Sequence, residues 1–185
     1  MSLDALAGLH VMTRRVVFDP IVKVRGEQPY VAVRGVVSLE TVNEIADRLP
    51  EVFEWLGERG LEAVDAPFLR YRFIEMPGRL EVEAGVPVAG GVTGGDEVMA
   101  EILPAGRYVS VTHFGRPEGL VGVIAELLRW GGEHRVSWDV VEADDGQQWG
   151  CRLEVFRTNP AEQPNPDEWG TELLFRLADD EPLPS

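Results

Sequence analysis

A carboxylate interrupts the apolar stretch Trp169-Gly170-Thr171-Glu172-Leu173-Leu174-Phe175 near the end of the chain. In a strand, successive side chains alternate between faces, so Trp169, Thr171, Leu173 and Phe175 share one face while Glu172 and Leu174 share the other. An unpaired buried charge is costly, so Glu172 needs a partner, solvent or a ligand, and a cationic ligand is the expectation that fits. The same alternation, with the branched residues Val31, Val33, Val109, Val111, Leu80, Val82, Leu153 and Val155 on a core face, gathers a second set opposite them. That set is Tyr30, Arg34, Tyr108, Ser110, Glu81, Glu83, Arg152, Glu154 and Phe156, with Glu172 joining if Leu173 and Phe175 are core. Tyr71 alternates with Arg70 and Arg72, and its face stays open at this level. Tyrosines and carboxylates on one surface suit a flat lipophilic cation. Cation–π contact contributes about 0.5–2 kcal/mol, and a carboxylate about 4 Å away adds roughly 4 kcal/mol at an effective dielectric of about 20, before desolvation. The alternative for Glu81, Glu83 and Glu154 is a solvated face on which Arg34 or Arg152 pairs with them.

Other chemistry is thinly represented. No G-x-S-x-G, H-E-x-x-H or C-x-x-C occurs, so the common hydrolase and zinc signatures are missing. His10, His113 and His134 are dispersed rather than spaced as metal ligands, and neither a metal nor a cofactor is expected. His113, at a strand end, reads as a hydrogen-bonded structural residue. The run Ala89-Gly90-Gly91-Val92-Thr93-Gly94-Gly95-Asp96 lacks the following Lys-Ser/Thr and the GxGxxG spacing of phosphate loops, and reads as a linker. Arg70 and Arg72 read as solvated edge charges rather than an anion clamp.

The elements that position these groups follow from periodicity. Val16 to Val37 is strand-like, with a bend at Arg25-Gly26-Glu27. Ser38 is the expected N-cap of a helical pattern through Leu39, Val42, Ile45, Leu49, Val52, Phe53 and Leu56. Pro50 predicts a kink or a second helix, and Gly60 closes the pattern. Strands follow at Phe68 to Glu75 and Leu80 to Val88 around a Met76-Pro77-Gly78 turn, then at Glu97 to Leu103 and Gly106 to Thr112. Leu120, Val123, Ile124, Leu127 and Leu128 form a second helical stripe that ends at Gly131-Gly132, and strands at Gly150 to Arg157 and Gly170 to Leu177 complete the order. The expected fold is therefore α+β. Duplicated β-α-β-β units, about residues 16–89 and 96–178, form one largely antiparallel sheet, with helices on one face and a ligand cleft on the other. Residues 1–15 are expected to form a loosely docked arm and 179–185 an acidic tail.

With 185 residues, 44% of them hydrophobic, the chain can bury a sizeable core in one domain. Its formal net charge of −15 and lack of a Lys/Arg cluster argue against direct nucleic-acid binding and anionic membrane surfaces, and favour cationic partners or simply serve solubility. Cys151 alone excludes an intrachain disulfide, reads as a small core residue, and fits a reducing cytoplasm. No apolar run reaches a membrane span.

Several stretches, taken in order, resemble the GyrI-like small-molecule-binding family, related to effector-binding domains of AraC-type and MerR-type multidrug regulators. They are Ala66-Pro67-Phe68-Leu69-Arg70-Tyr71, Leu80 to Val88, Leu103-Pro104-Ala105-Gly106-Arg107-Tyr108, His113-Phe114-Gly115, Thr158-Asn159-Pro160 and Pro166 to Leu173. The resemblance implies a two-repeat fold with a cleft for lipophilic, cationic or planar aromatic compounds. It also implies an acidic residue in the last strand, here Glu172, and an aromatic lining that Tyr71, Phe156 and Trp169 fit, with Tyr108, Glu154 and Glu81 as further binding candidates. Phe156 stands where the family often has tyrosine, which removes a hydroxyl. The residues before the first strand are too few for a helix-turn-helix, so a stand-alone binding protein is expected. Some stand-alone relatives resemble hydrolases that open cyclopropane rings of DNA-alkylating natural products. In that reading Glu172 and Tyr71 are the catalytic pair, and a third reading is a gyrase-interacting protein.

Overall fold

The computed structural model describes residues 18–180. The expected arm over residues 1–15 and most of the expected tail over 179–185 lie outside them. Strands β1 (Ile21–Arg25), β2 (Gln28–Val37), β3 (Phe68–Glu75), β4 (Arg79–Pro87), β5 (Met99–Leu103), β6 (Gly106–Phe114), β7 (Val140–Ala143), β8 (Gly146–Trp149), β9 (Arg152–Phe156) and β10 (Gly170–Arg176) pair antiparallel in a single sheet. The main order is β1-β6-β10-β9-β3-β4-β2-β5, with β7 and β8 attached beside β3. Helices α1 (Asn43–Ala46) and α2 (Leu49–Glu58) separate β2 from β3, and α3 (Leu120–Glu133) follows β6. The order β2, helix, β3, β4 thus recurs as β6, helix, β9, β10, and the β3–β9 pair joins the halves.

The connectivity forces the sheet to curl. β5 is an end strand and β6 lies six places away in sheet order, which in a flat sheet is about 29 Å. The link Pro104-Ala105 spans at most about 11 Å. The two ends therefore approach, and both sheet faces become buried. One face carries Val31, Val33, Val82, Val109, Val111, Leu173 and Phe175 against Val52 and Leu56 of α2 and Leu120 and Leu127 of α3. Inside the curl, Tyr30, Phe68, Tyr108, Cys151, Leu153, Val155 and Leu174 make a second cluster. Each fully buried leucine or phenylalanine contributes about 1.5–3 kcal/mol by leaving water.

Two local expectations, at Ser38 and at Gly131-Gly132, are corrected, and the second helix expected at Pro50 is present. Ser38 does not cap a helix. Its N–H donates to Thr41 Oγ1 at 2.9 Å in a turn, and α1 begins only after Val42. Pro50 opens the separate helix α2, within the first turn where its missing N–H costs little. Gly131 and Gly132 do not end α3, which continues to Glu133. A Cβ on Gly131 would lie 2.5 Å from Trp138 Cζ2, so glycine is there to admit the indole. No sequence expectation covers the β7–β8 hairpin, which turns at Asp144-Asp145.

The alternation of β9 also runs opposite to expectation. Glu154 pairs with Leu69 and with Leu173, both of which face the helices. Arg152, Glu154 and Phe156 therefore point to the helix side, and Leu153 and Val155 join Tyr30 and Tyr108 inside the curl. Both faces of β9 are buried, so polarity alone gave the wrong one.

Candidate functional site

A cavity of about 1110 Å³ opens on the helix-bearing face. Its walls are Val42, Leu49 and Phe53 from the α1–α2 side and Leu120, Val121 and Ile124 from α3. Its floor is Leu69, Tyr71 and Ile74 of β3, Arg152, Glu154 and Phe156 of β9, and Thr171 of β10, with Trp169 at one end. A β-bulge sets this floor. Tyr71 pairs with Val82 and Phe73 with Glu81, leaving Arg72 without a partner on β4, so Tyr71 and Ile74 both reach the cavity despite their odd spacing.

Two buried charged groups and a phenol stand on the floor of this largely apolar space, which Asp47, Glu118 and Arg157 also line. Glu154 is 7% exposed. Burial pushes its carboxyl above the usual carboxylate range, opposed by the Tyr71 hydroxyl and the charge of Arg152. Tyr71 is raised well above an ordinary phenol, by burial first and by Glu154 second. Arg152 is 9% exposed, and burial lowers its affinity for the proton while Glu154 and Tyr71 counteract this. Its guanidinium lies 4.5 Å from the Phe175 ring centroid, 5.1 Å from Trp149 and 5.6 Å from Tyr71. At the cavity's end the Trp169 indole N–H donates to the Gln163 carbonyl at 2.8 Å, which fixes the ring.

Of the residues expected to form the site, Tyr71, Glu154, Phe156 and Trp169 meet here and Glu172, Tyr108 and Glu81 do not. This cavity opens on the helix-bearing face, whereas the sequence expectation put the cleft on the opposite one. Glu172 lies on the other side of the sheet, where Lys23 Nζ and Ser110 Oγ each donate to Oε1 at 2.6 Å and Arg157 Nε donates to Oε2 at 2.7 Å. Burial alone would raise its carboxyl, but these donors and the Arg157 charge bring it down to about 2. Its partner is thus internal, and it touches the cavity only by holding Arg157 at the rim. Tyr108 is buried in the inner cluster and donates to the Pro104 carbonyl. Glu81 faces Arg34 at 3.7 Å, beside a network in which Glu83 receives Tyr30 and Arg34.

Arg152 and the helix residues Phe53, Val121 and Ile124 line the cavity without having been named as binding candidates. For Arg152 the signal was its i, i+2 relation to Glu154. The helix residues carried only an apolar stripe, which looks the same whether it packs on a sheet or lines a cavity. Among the described residues, no cluster of His, Cys, Asp and Glu is arranged to hold a metal ion, and no helix is long and apolar enough to cross a membrane.

An α+β domain with an apolar cavity between its helices, and a few polar groups converging on the cavity floor, is by class a small-molecule-binding domain. The model of the GyrI-like small molecule binding domain matches residues 18–178, and the chain belongs to that family. No curated protein matches its sequence significantly. Among solved structures it is similar to the C-terminal domain of EcmrR, with 17% identity and a TM-score of 0.71 over 88% of this chain and 99% of that one. It spans only 60% of the EcmrR chain in the complex with DNA. SAV2435 bound to tetraphenylphosphonium shares 10% identity, with a TM-score of 0.56 over 86% of this chain and 94% of that one. A hydrolase from Listeria innocua shares 12%, with a TM-score of 0.60 over 89% and 94%. At such identities the likeness is one of fold.

Proposed function

We propose that this protein binds lipophilic aromatic small molecules in the cavity between α1–α2 and α3, with a cationic group of the ligand set against Glu154. The observation that carries this reading is a buried carboxylate on the floor of an apolar, aromatic-lined cavity, held by a phenol and, among the described residues, in no salt bridge. A ligand cation favours the ionised Glu154 that burial disfavours. Tyr71, Phe156 and Trp169 supply ring faces for an aromatic ligand, and Phe53 and Ile124 supply apolar wall. The tetraphenylphosphonium bound to a protein of the same fold is consistent with this chemistry. Calorimetric titration with tetraphenylphosphonium tests it. Saturable binding that Glu154→Gln weakens about tenfold is the expected result, from the loss of one charged contact. Absence of saturable binding, or binding indifferent to Glu154, contradicts it.

A second reading rests on the same pair. A carboxylate with a raised pKa beside a phenol can take a proton from water, and structures of this fold include ones described as hydrolases. Acting on an activated cyclopropane, Glu154 would accept the proton as water bonds to a ring carbon. The ring C–C bond breaks, and its electron pair passes to the conjugated carbonyl, which takes up the proton that Glu154 accepted. Multiple turnover of a cyclopropane-bearing electrophile, slowed by both Glu154→Gln and Tyr71→Phe, distinguishes this reading from binding alone.

A further inference from the structure

Three arginines of the sheet are about equally buried: Arg70 at 5%, Arg152 at 9% and Arg176 at 9% exposed. Two of them are engaged. Arg70 donates to the Tyr30 hydroxyl at 2.7 Å and the Gly150 carbonyl at 2.8 Å, although its Nε has no partner. Arg176 donates to Asp139, Asp179 and the Ala105 carbonyl. Arg152 differs. Among the described residues its guanidinium makes no hydrogen bond or salt bridge, its Nε is buried without a partner, and it is the one of the three that lines the cavity.

The rings around Arg152 do not remove this deficit. Tyr71, Trp149 and Phe175 surround the guanidinium and favour its charge through cation–π contact. They accept none of its N–H donors in a hydrogen bond. Five donors in a rigid fork match a planar carboxylate, and leaving such groups dry is costly.

Arg152 and Glu154 also stand two residues apart on one strand face, which places their backbones about 6.5 Å apart. A simple cation midway between them gains from Glu154 what it loses to Arg152. A molecule with charges of both signs gains from both.

We propose, building on the cavity as the ligand site, that its ligand is amphoteric: an aromatic molecule bearing a cationic group for Glu154 and a carboxylate that docks on the Arg152 guanidinium. Arg152 thereby sets specificity, rejecting esters and other molecules that cannot accept from the fork.

Rhodamine B and its ethyl ester differ only at the carboxyl group and test this by fluorescence anisotropy. Wild type is expected to bind rhodamine B at least about tenfold more tightly than the ester, as for a hydrogen-bonded charged pair. Arg152→Met is expected to erase that preference, weakening rhodamine B while leaving the ester unchanged or tighter. Arg152→Lys, which keeps the charge but loses the fork, falls between them. If Arg152→Met does not fold, the wild-type preference and Arg152→Lys decide. An ester bound as tightly as the acid by wild type overturns the amphoteric ligand but leaves the cavity as a binding site. Failure of both dyes to bind overturns the cavity reading as well.

Discussion

Glu154 pairs across β9 and β10 with Leu173, one residue from Glu172, so the two carboxylates leave the sheet on opposite faces. That one-residue offset separates a carboxylate in an apolar cavity from one locked among Lys23, Ser110 and Arg157. Two glutamates in neighbouring strands therefore have different chemistry.

Glu172→Gln is expected to act on stability rather than on binding. It removes the charge that Lys23 and Arg157 share, and because both partners are partly exposed the cost is about 1–3 kcal/mol. Chemical denaturation measures it. Affinity for tetraphenylphosphonium should stay within about threefold, since the substitution removes no charged contact to the cavity.

Acid should reveal the same group. The folded carboxyl of Glu172, at about 2, lies below its ordinary value of 4.5. Its stabilising contribution, up to about 3 kcal/mol, is thus complete above the ordinary value and is lost as pH falls towards 2. Denaturation curves through that window should fall more steeply for wild type than for Glu172→Gln. Parallel curves would show that Glu172 is not so held.

Glu154 has the opposite sign. Its folded pKa is raised by burial, so ionising it costs stability as pH rises through that value. Glu154→Gln should be at least as stable as wild type at neutral pH. Cation binding by wild type should strengthen as pH rises through the carboxyl's titration, above the ordinary carboxylate range, and this dependence should vanish in Glu154→Gln.

Gly131→Ala should destabilise by about 1–3 kcal/mol through overpacking, because the added methyl meets Trp138. Thermal denaturation checks it. A neutral result would mean that the indole yields easily.

Much of the fold was legible because its signals are local. Alternation in β2, β4 and β6, the proline at the start of α2 and the repeated strand–helix–strand–strand order all appear in the sequence. The cavity lining was legible in its residue types but not in its side of the sheet. Tyr71, Phe156, Trp169 and Glu154 were named, yet the cleft was placed opposite the helices because polar residues were assumed to face away from them. The curl forced by the short β5–β6 link buries that opposite face, and the charged row of β9 instead turns towards the helices. Nothing in a single strand records either fact, nor that Glu172 finds Lys23 at the other end of the chain.

The most direct test sets the two carboxylates side by side: tetraphenylphosphonium affinity of wild type, Glu154→Gln and Glu172→Gln under identical conditions. Weakened binding in Glu154→Gln with near wild-type affinity in Glu172→Gln is the expected result. The reverse pattern would place the ligand on the other face of the sheet and contradict the cavity as its site.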